Sequence, residues 1–127
     1  MLGNATVAAV VATTDLERAR AFYGGMLGLS ASAAAVPDGA GEVVYACGGG
    51  TTLVVYQRAT AGDSEATCAN FRVEDVPDTV QRLRGKGVVF EEFDMEGAEN
   101  ENGVLTMDGF QAAWFKDPDG NMLAVTN

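Results

Sequence analysis

Histidine is absent from this chain of 127 residues. Without an imidazole there is no Ser-His-Asp triad, no Cys-His pair and no histidine metal ligand, so acid–base chemistry falls to carboxylates, Lys, Tyr or Cys. Basic residues are scarce. Eight Lys and Arg stand against 18 Asp and Glu, a net charge of −10, and a surface that acidic repels a phosphate backbone, so no nucleic-acid partner is expected. Long apolar runs are missing as well: nothing approaches the roughly 18 residues of a membrane span. The stretch 5–12 runs directly into Asp15-Leu16-Glu17-Arg18, the pattern of a strand entering a helix and not of a signal peptide. The two cysteines, Cys47 and Cys68, have neither zinc nor CxxC spacing and sit in apolar surroundings. They read as free buried thiols of a cytoplasmic protein.

With 47% hydrophobic and 20% charged residues and a mean hydropathy of +0.05, the composition is that of a globular chain. At this length one core is expected, hence a single domain over 1–127. Short β-rich runs at 5–13, 30–36, 42–47 and 51–57 are separated by Pro37-Asp38-Gly39 and by Gly48-Gly49-Gly50. Asp15 caps a helix that carries Leu16, Ala19, Phe22, Tyr23 and Met26 on one stripe and stops at Gly28. After a small, polar linker the order repeats. A strand at 67–74 leads to a helix capped by Asp75, and strands follow at 88–93, 104–107, 111–116 and 122–126. Placing Asp15 on Asp75 also aligns Val11 with Phe71, Leu16 with Val76, Ala19 with Thr79 and Tyr23 with Leu83. The expected fold is α+β: two βαβββ modules, at 1–60 and 66–127, forming curved mixed sheets around a cleft with helices on the outer face.

Three segments carry a family resemblance. They are Thr14 to Tyr23 (TDLERARAFY) with Leu27-Gly28-Leu29; Phe71-Arg72-Val73-Glu74-Asp75-Val76 with Leu83 and Gly87-Val88; and Phe115-Lys116-Asp117-Pro118-Asp119-Gly120-Asn121. In order and spacing the chain resembles the vicinal oxygen chelate superfamily of glyoxalase I, bleomycin-resistance proteins, extradiol dioxygenases and fosfomycin-resistance enzymes. The motifs themselves are structural: helix caps, helix-packing aromatics and a Pro/Gly turn.

The resemblance also says where metal ligands would stand in metal-using members. Those positions are seven residues before each capping Asp and three after the Asp117–Asn121 turn, here Ala8, Cys68 and Ala124. Two methyl groups cannot replace donors, so no cofactor and no metal are expected, and metal-dependent lyase or dioxygenase activity is disfavoured. Alternation along the strands then brings Val10, Tyr45, Asn70, Arg72, Trp114 and Met122 to the cleft beside Ala8, Cys68 and Ala124. That is an apolar, aromatic pocket suited to a small molecule. Arg72 suits either an anionic substrate or a surface ion pair. The acidic run 90–101 reads as a solvated loop or as an attraction for cations at the cleft mouth.

The expectation is therefore a metal-free small-molecule-binding protein of sequestration or resistance type. Bleomycin-resistance relatives, by the resemblance, bind a cationic antibiotic in acidic, aromatic-lined clefts. Other readings stay open: a lyase, isomerase or dioxygenase-like enzyme using non-standard residues such as Tyr45, Glu101 or Arg72, an enzyme bringing ligands from non-standard positions such as Asp108 or Glu101, and a module whose cleft is filled by its own side chains. The resemblance implies a homodimer, side by side or swapped, because a half-barrel exposes sheet edges.

Overall fold

A computed structural model of the chain describes residues 1–32 and 41–127. Strand β1 (Ala9–Thr13) enters α1 (Leu16–Arg20), and the helix continues through a π-helical segment, Ala21–Met26. Then come β2 (Ser30–Ala31), β3 (Glu42–Ala46) and β4 (Thr52–Gln57). The second half runs β5 (Thr67–Arg72), α2 (Val76–Gly85), β6 (Phe90–Glu91), β7 (Glu99–Glu101), β8 (Val104–Met107), β9 (Phe110–Lys116) and β10 (Met122–Thr126). The first sheet has order β1-β4-β3-β2 and the second β5-β10-β9-β8-β7, with β6 paired to β9 beyond the end of β8. In each half the first strand lies parallel to the last, and the last antiparallel to its predecessor. The fold is α+β, two βαβββ-type units as the repeat in the sequence implies, the second enlarged to five strands after its helix.

Both helices begin as their sequence dictates. The Asp15 carboxylate accepts from the Arg18 amide at 3.1 Å and the Asp75 carboxylate from the Asp78 amide at 3.0 Å. Each cap stabilises its helix by about 1 kcal/mol. The helix-facing side of both sheets forms one continuous core. Val11, Val43, Tyr45, Leu53 and Val55 come from the first sheet, and Ala69, Ala113, Phe115, Leu123 and Val125 from the second. Phe22 and Tyr23 bridge them: Phe22 packs on Phe115 at 6.2 Å between centroids and Tyr23 on Tyr45 at 6.1 Å.

Several element boundaries differ from those expected. The first strand begins only at Ala9, where its partner Leu53 begins to pair. The strand expected at 88–93 shrinks to Phe90–Glu91, because β8 occupies the rest of that edge of β9. Of the strand expected at 30–36, Ser30–Ala31 is seen; its remainder from 33 on, and the turn Pro37-Asp38-Gly39, lie outside the described residues. The acidic run is not all loop. It contributes β6 and β7, and Asn102-Gly103 closes β7 onto β8 with φ of +54° and +83°. Its carboxylates still point to solvent, Glu91 alone being half-buried.

Candidate functional site

Opposite the helices, the residues of β5, β10 and β9 that face away from the core share one surface. Asn70 pairs with Ala124 and Ala124 with Trp114; Arg72 pairs with Thr126 and Thr126 with Ala112. On the first sheet the corresponding surface carries Ala8, Val10 and Ala12 beside Val54 and Tyr56, the strand partners of Val10 and Ala12. Val10 is 54% exposed. Ala8 is also exposed, whereas Ala124 is covered on all sides. Cys68 is exposed as a residue, not buried as its apolar neighbours imply, but its thiol is tucked inward and donates to the Met122 carbonyl at 3.3 Å. Burial, and then the Asp117 charge, push that thiol up from its ordinary pKa, so it stays protonated.

Tyr45 is also placed differently from expectation. It lies on the core face of β3, 3% exposed, beneath Tyr23. Its pairing with Leu53 puts it in phase with the buried residues of β4, one step out of the register expected. Burial raises its phenol above the ordinary value, against a weaker opposing pull from Arg20. Tyr45, Glu101 and Arg72 do not converge. Glu101 lines a groove with α2 residues Gln81 and Arg84, and Arg72 a separate cavity at the junction of the sheets.

Two of the expected residues, Trp114 and Met122, do meet in a pocket. It has a volume of about 310 Å³ and is completed by Glu65, Thr67, Phe93, Asp94, Met95 and Leu105. Phe93 caps it, its ring edge-on to Trp114 at 5.4 Å. Phe93 was not foreseen as lining. It lies in the turn after β6, held where the Asn100 side-chain amide donates to its carbonyl at 2.8 Å. The pocket's charged lining residues among those described are Glu65 and Asp94, both carboxylates. Among the described residues no three His, Cys, Asp or Glu side chains gather as a metal site would require.

The Asp117–Asn121 turn fastens the two halves. Asp117 accepts from the Tyr23 hydroxyl at 2.6 Å and from the Asp119 and Asn121 amides at 3.0 and 2.9 Å. The Asp119 side chain, 3% exposed, accepts from the Thr13 hydroxyl at 2.6 Å, the Thr14 amide and hydroxyl at 3.0 and 2.8 Å, and Arg18 at 2.7 Å. Burial works to raise the Asp119 pKa, but these donors and the Arg18 charge outweigh it and hold the carboxyl below its usual value. No helix among the described residues is long and apolar enough to cross a membrane.

Comparison with known proteins agrees with this architecture. No curated protein sequence matches the chain. A glyoxalase/bleomycin resistance protein from Streptomyces sp. CB03234 superposes with TM-score 0.65 at 25% identity, over 93% of this chain and 96% of its own. TnmS3, an antibiotic binding protein from the same Streptomyces, gives 0.65 at 23% identity over 96% and 95%. A putative glyoxalase family protein from Bacillus anthracis gives 0.68 at 20% over 95% and 93%. The family model of the Glyoxalase/Bleomycin resistance protein/Dioxygenase superfamily matches residues 6–125, and the chain belongs to that superfamily.

Proposed function

We propose that this protein binds a small, partly apolar cation in the Trp114 pocket, without a metal, in a sequestration or resistance role. The observation that carries this reading is the charge of the pocket: its two ionisable lining residues, Glu65 and Asp94, are both carboxylates, set beside the rings of Phe93 and Trp114. Aromatic faces and carboxylates in a half-covered site favour an organic cation over a neutral or anionic molecule. The positions that correspond to family metal ligands fit no metal here. Ala8 and Ala124 offer methyl groups, and the Cys68 thiol proton is committed to the Met122 carbonyl. TnmS3, named as an antibiotic binding protein, supplies a precedent for small-molecule binding in the same fold.

Trp114 is the only tryptophan and reports the pocket directly. Titration with planar aromatic cations should quench its emission saturably, and Asp94→Asn should weaken the binding about tenfold, roughly 1.4 kcal/mol. Equal quenching by neutral isosteres would overturn the charge argument. A chelator-reversible rise in Tm with Mn²⁺, Fe²⁺, Co²⁺, Ni²⁺ or Zn²⁺ would overturn the metal-free reading.

The Phe93–Trp114 contact favours a second reading, in which the chain fills its own cleft. Under that reading no cation alters the emission of the native protein, and Phe93→Ala opens a site that does respond.

The proposal includes a homodimer in the cytoplasm, each chain one domain with halves at 1–60 and 66–127. The exposed Val10, with the half-buried Val54 and Tyr56, presents an uncovered apolar face on the first sheet that a second copy would cover. Light scattering should give twice the 13.2 kDa chain mass. Two free thiols fit a reducing compartment.

A further inference from the structure

The repeat makes the two ends of the inter-module seam comparable. Strands β1 and β5 lie side by side there with no ladder between them. The last hairpin of each half closes on a turn of equal length, Cys47-Gly48-Gly49-Gly50-Thr51 and Asp117-Pro118-Asp119-Gly120-Asn121, and in each the first amide donates to the last carbonyl, at 2.8 and 3.0 Å. At one end of the seam the second turn fills the space. Asp119 grips Thr13, Thr14 and Arg18, and the Asn121 side chain donates to the Ala12 carbonyl at 2.8 Å.

At the other end the corresponding turn brings only glycines. Gly49 stands where Asp119 stands in the partner turn, and a Cβ at Gly48, Gly49 or Gly50 would meet nothing within 4 Å. The Thr51 hydroxyl folds back onto the Gly48 carbonyl at 2.6 Å instead of crossing the seam as Asn121 does. A cavity of about 500 Å³ remains, lined by Val7, Ala9, Phe71 and Val73 together with Cys47, Asn70 and Arg72.

Charge decides what this cavity takes. Among the described residues, Arg72 is its only permanently charged lining residue and makes no ion pair. Asn70 accepts from the Thr126 hydroxyl through Oδ1 at 3.0 Å, which turns its Nδ2 away as a donor without a partner among the described residues. A guanidinium and an amide N–H beside an apolar wall match a monoanionic headgroup on a hydrophobic body. We propose that the glycine-turn end of the seam is a binding site for a small organic carboxylate, received by Arg72 and Asn70 with its apolar body against Val7, Ala9, Phe71 and Val73. The site is separate from the Trp114 pocket and opposite to it in charge.

Cys47 lines this cavity, whereas Cys68 lines neither it nor the Trp114 pocket and serves as an internal control. The experiment follows iodoacetamide alkylation of each cysteine by peptide mass spectrometry during a titration with phenylacetate. At ten times its Kd, phenylacetate should slow Cys47 about tenfold by mass action. Cys68 alkylation and Trp114 emission should stay unchanged. Phenylacetamide and inorganic phosphate should protect far less, and Arg72→Gln, a change at an exposed side chain, should abolish the protection with Tm preserved. Unslowed alkylation of Cys47 would overturn the proposal. So would equal protection by phenylacetamide or phosphate, or protection that survives Arg72→Gln. Each result is independent of whether aromatic cations quench Trp114.

Discussion

Asp119 gathers more hydrogen bonds than any group in the candidate pocket, and all of its side-chain partners belong to the other half of the chain. Asp119→Ala removes the shared acceptor of Thr13, Thr14 and Arg18, leaving Thr13 only its bonds to the Asp15 backbone, and should cost about 2–4 kcal/mol in urea unfolding. The pH dependence follows from its lowered pKa. Its contribution is fully present above the ordinary 3.8 and is lost as pH falls through the lower folded value. The acid limb of the native protein's stability curve should therefore be steeper than that of Asp119→Ala. Tyr23 is wholly buried and donates to Asp117, and burial followed by the Asp117 charge raises its phenol far above the usual value. Tyr23→Phe should cost about 1–3 kcal/mol, because it leaves a buried carboxylate short of a donor. In the native protein the raised phenol pKa adds stability that is complete below the ordinary 10.0 and fades as pH rises beyond it. Denaturant midpoints measured across the alkaline range check this, and Tyr23→Phe should remove the dependence.

Among elements, the linker is more constrained than its small, polar composition conveys. Gly62 has φ +71°, and a Cβ there would stand 1.8 Å from the Asp119 carbonyl oxygen. Gly62→Ala should lower stability by about 2 kcal/mol or more, read as a drop in Tm, since strain and overlap act together. The π-helical continuation of α1 also has a consequence. The Leu27 amide bonds to the Phe22 carbonyl, five residues back, at 2.9 Å, and the widened turn contains Tyr23, whose hydroxyl meets Asp117. The caps Asp15 and Asp75 and the helix stripe were legible because they are local patterns. The β7–β8 hairpin carried an equally local signal, Asn102-Gly103, that the acidic composition around it obscured. The phase of β3 was not legible. Val43, Val44 and Tyr45 are all apolar, so alternation cannot say which face is inward, and only pairing with β4 decides.

At the scale of the whole molecule, one core and one clamp join the halves. Phe22 and Tyr23 leave the first half to pack on Phe115 and bond Asp117 of the second. Thermal unfolding should accordingly be a single transition with coincident far-UV and Trp114 signals, and Asp119→Ala should shift both together. Among the described residues, the expected cleft list separates into a pocket at Trp114 and Met122 lined by carboxylates and a cavity at Asn70 and Arg72 whose only fixed charge is positive.

Helix caps and turn chemistry follow from the sequence alone, because each depends on residues within one or two turns of each other, and element order and the repeat follow from those local patterns recurring 60 residues apart. The sequence also determined the lack of imidazole and the negative charge. Which expected residues share a pocket, and which end of the seam is bolted, was decided only by the tertiary structure. Glu65, the adjacent Phe93 and Asp94, and Trp114 are brought together from three separate segments, and Gly49 becomes informative only when its place at the seam is set beside that of Asp119. Strand alternation gives a face; it takes packing between distant strands to make a site.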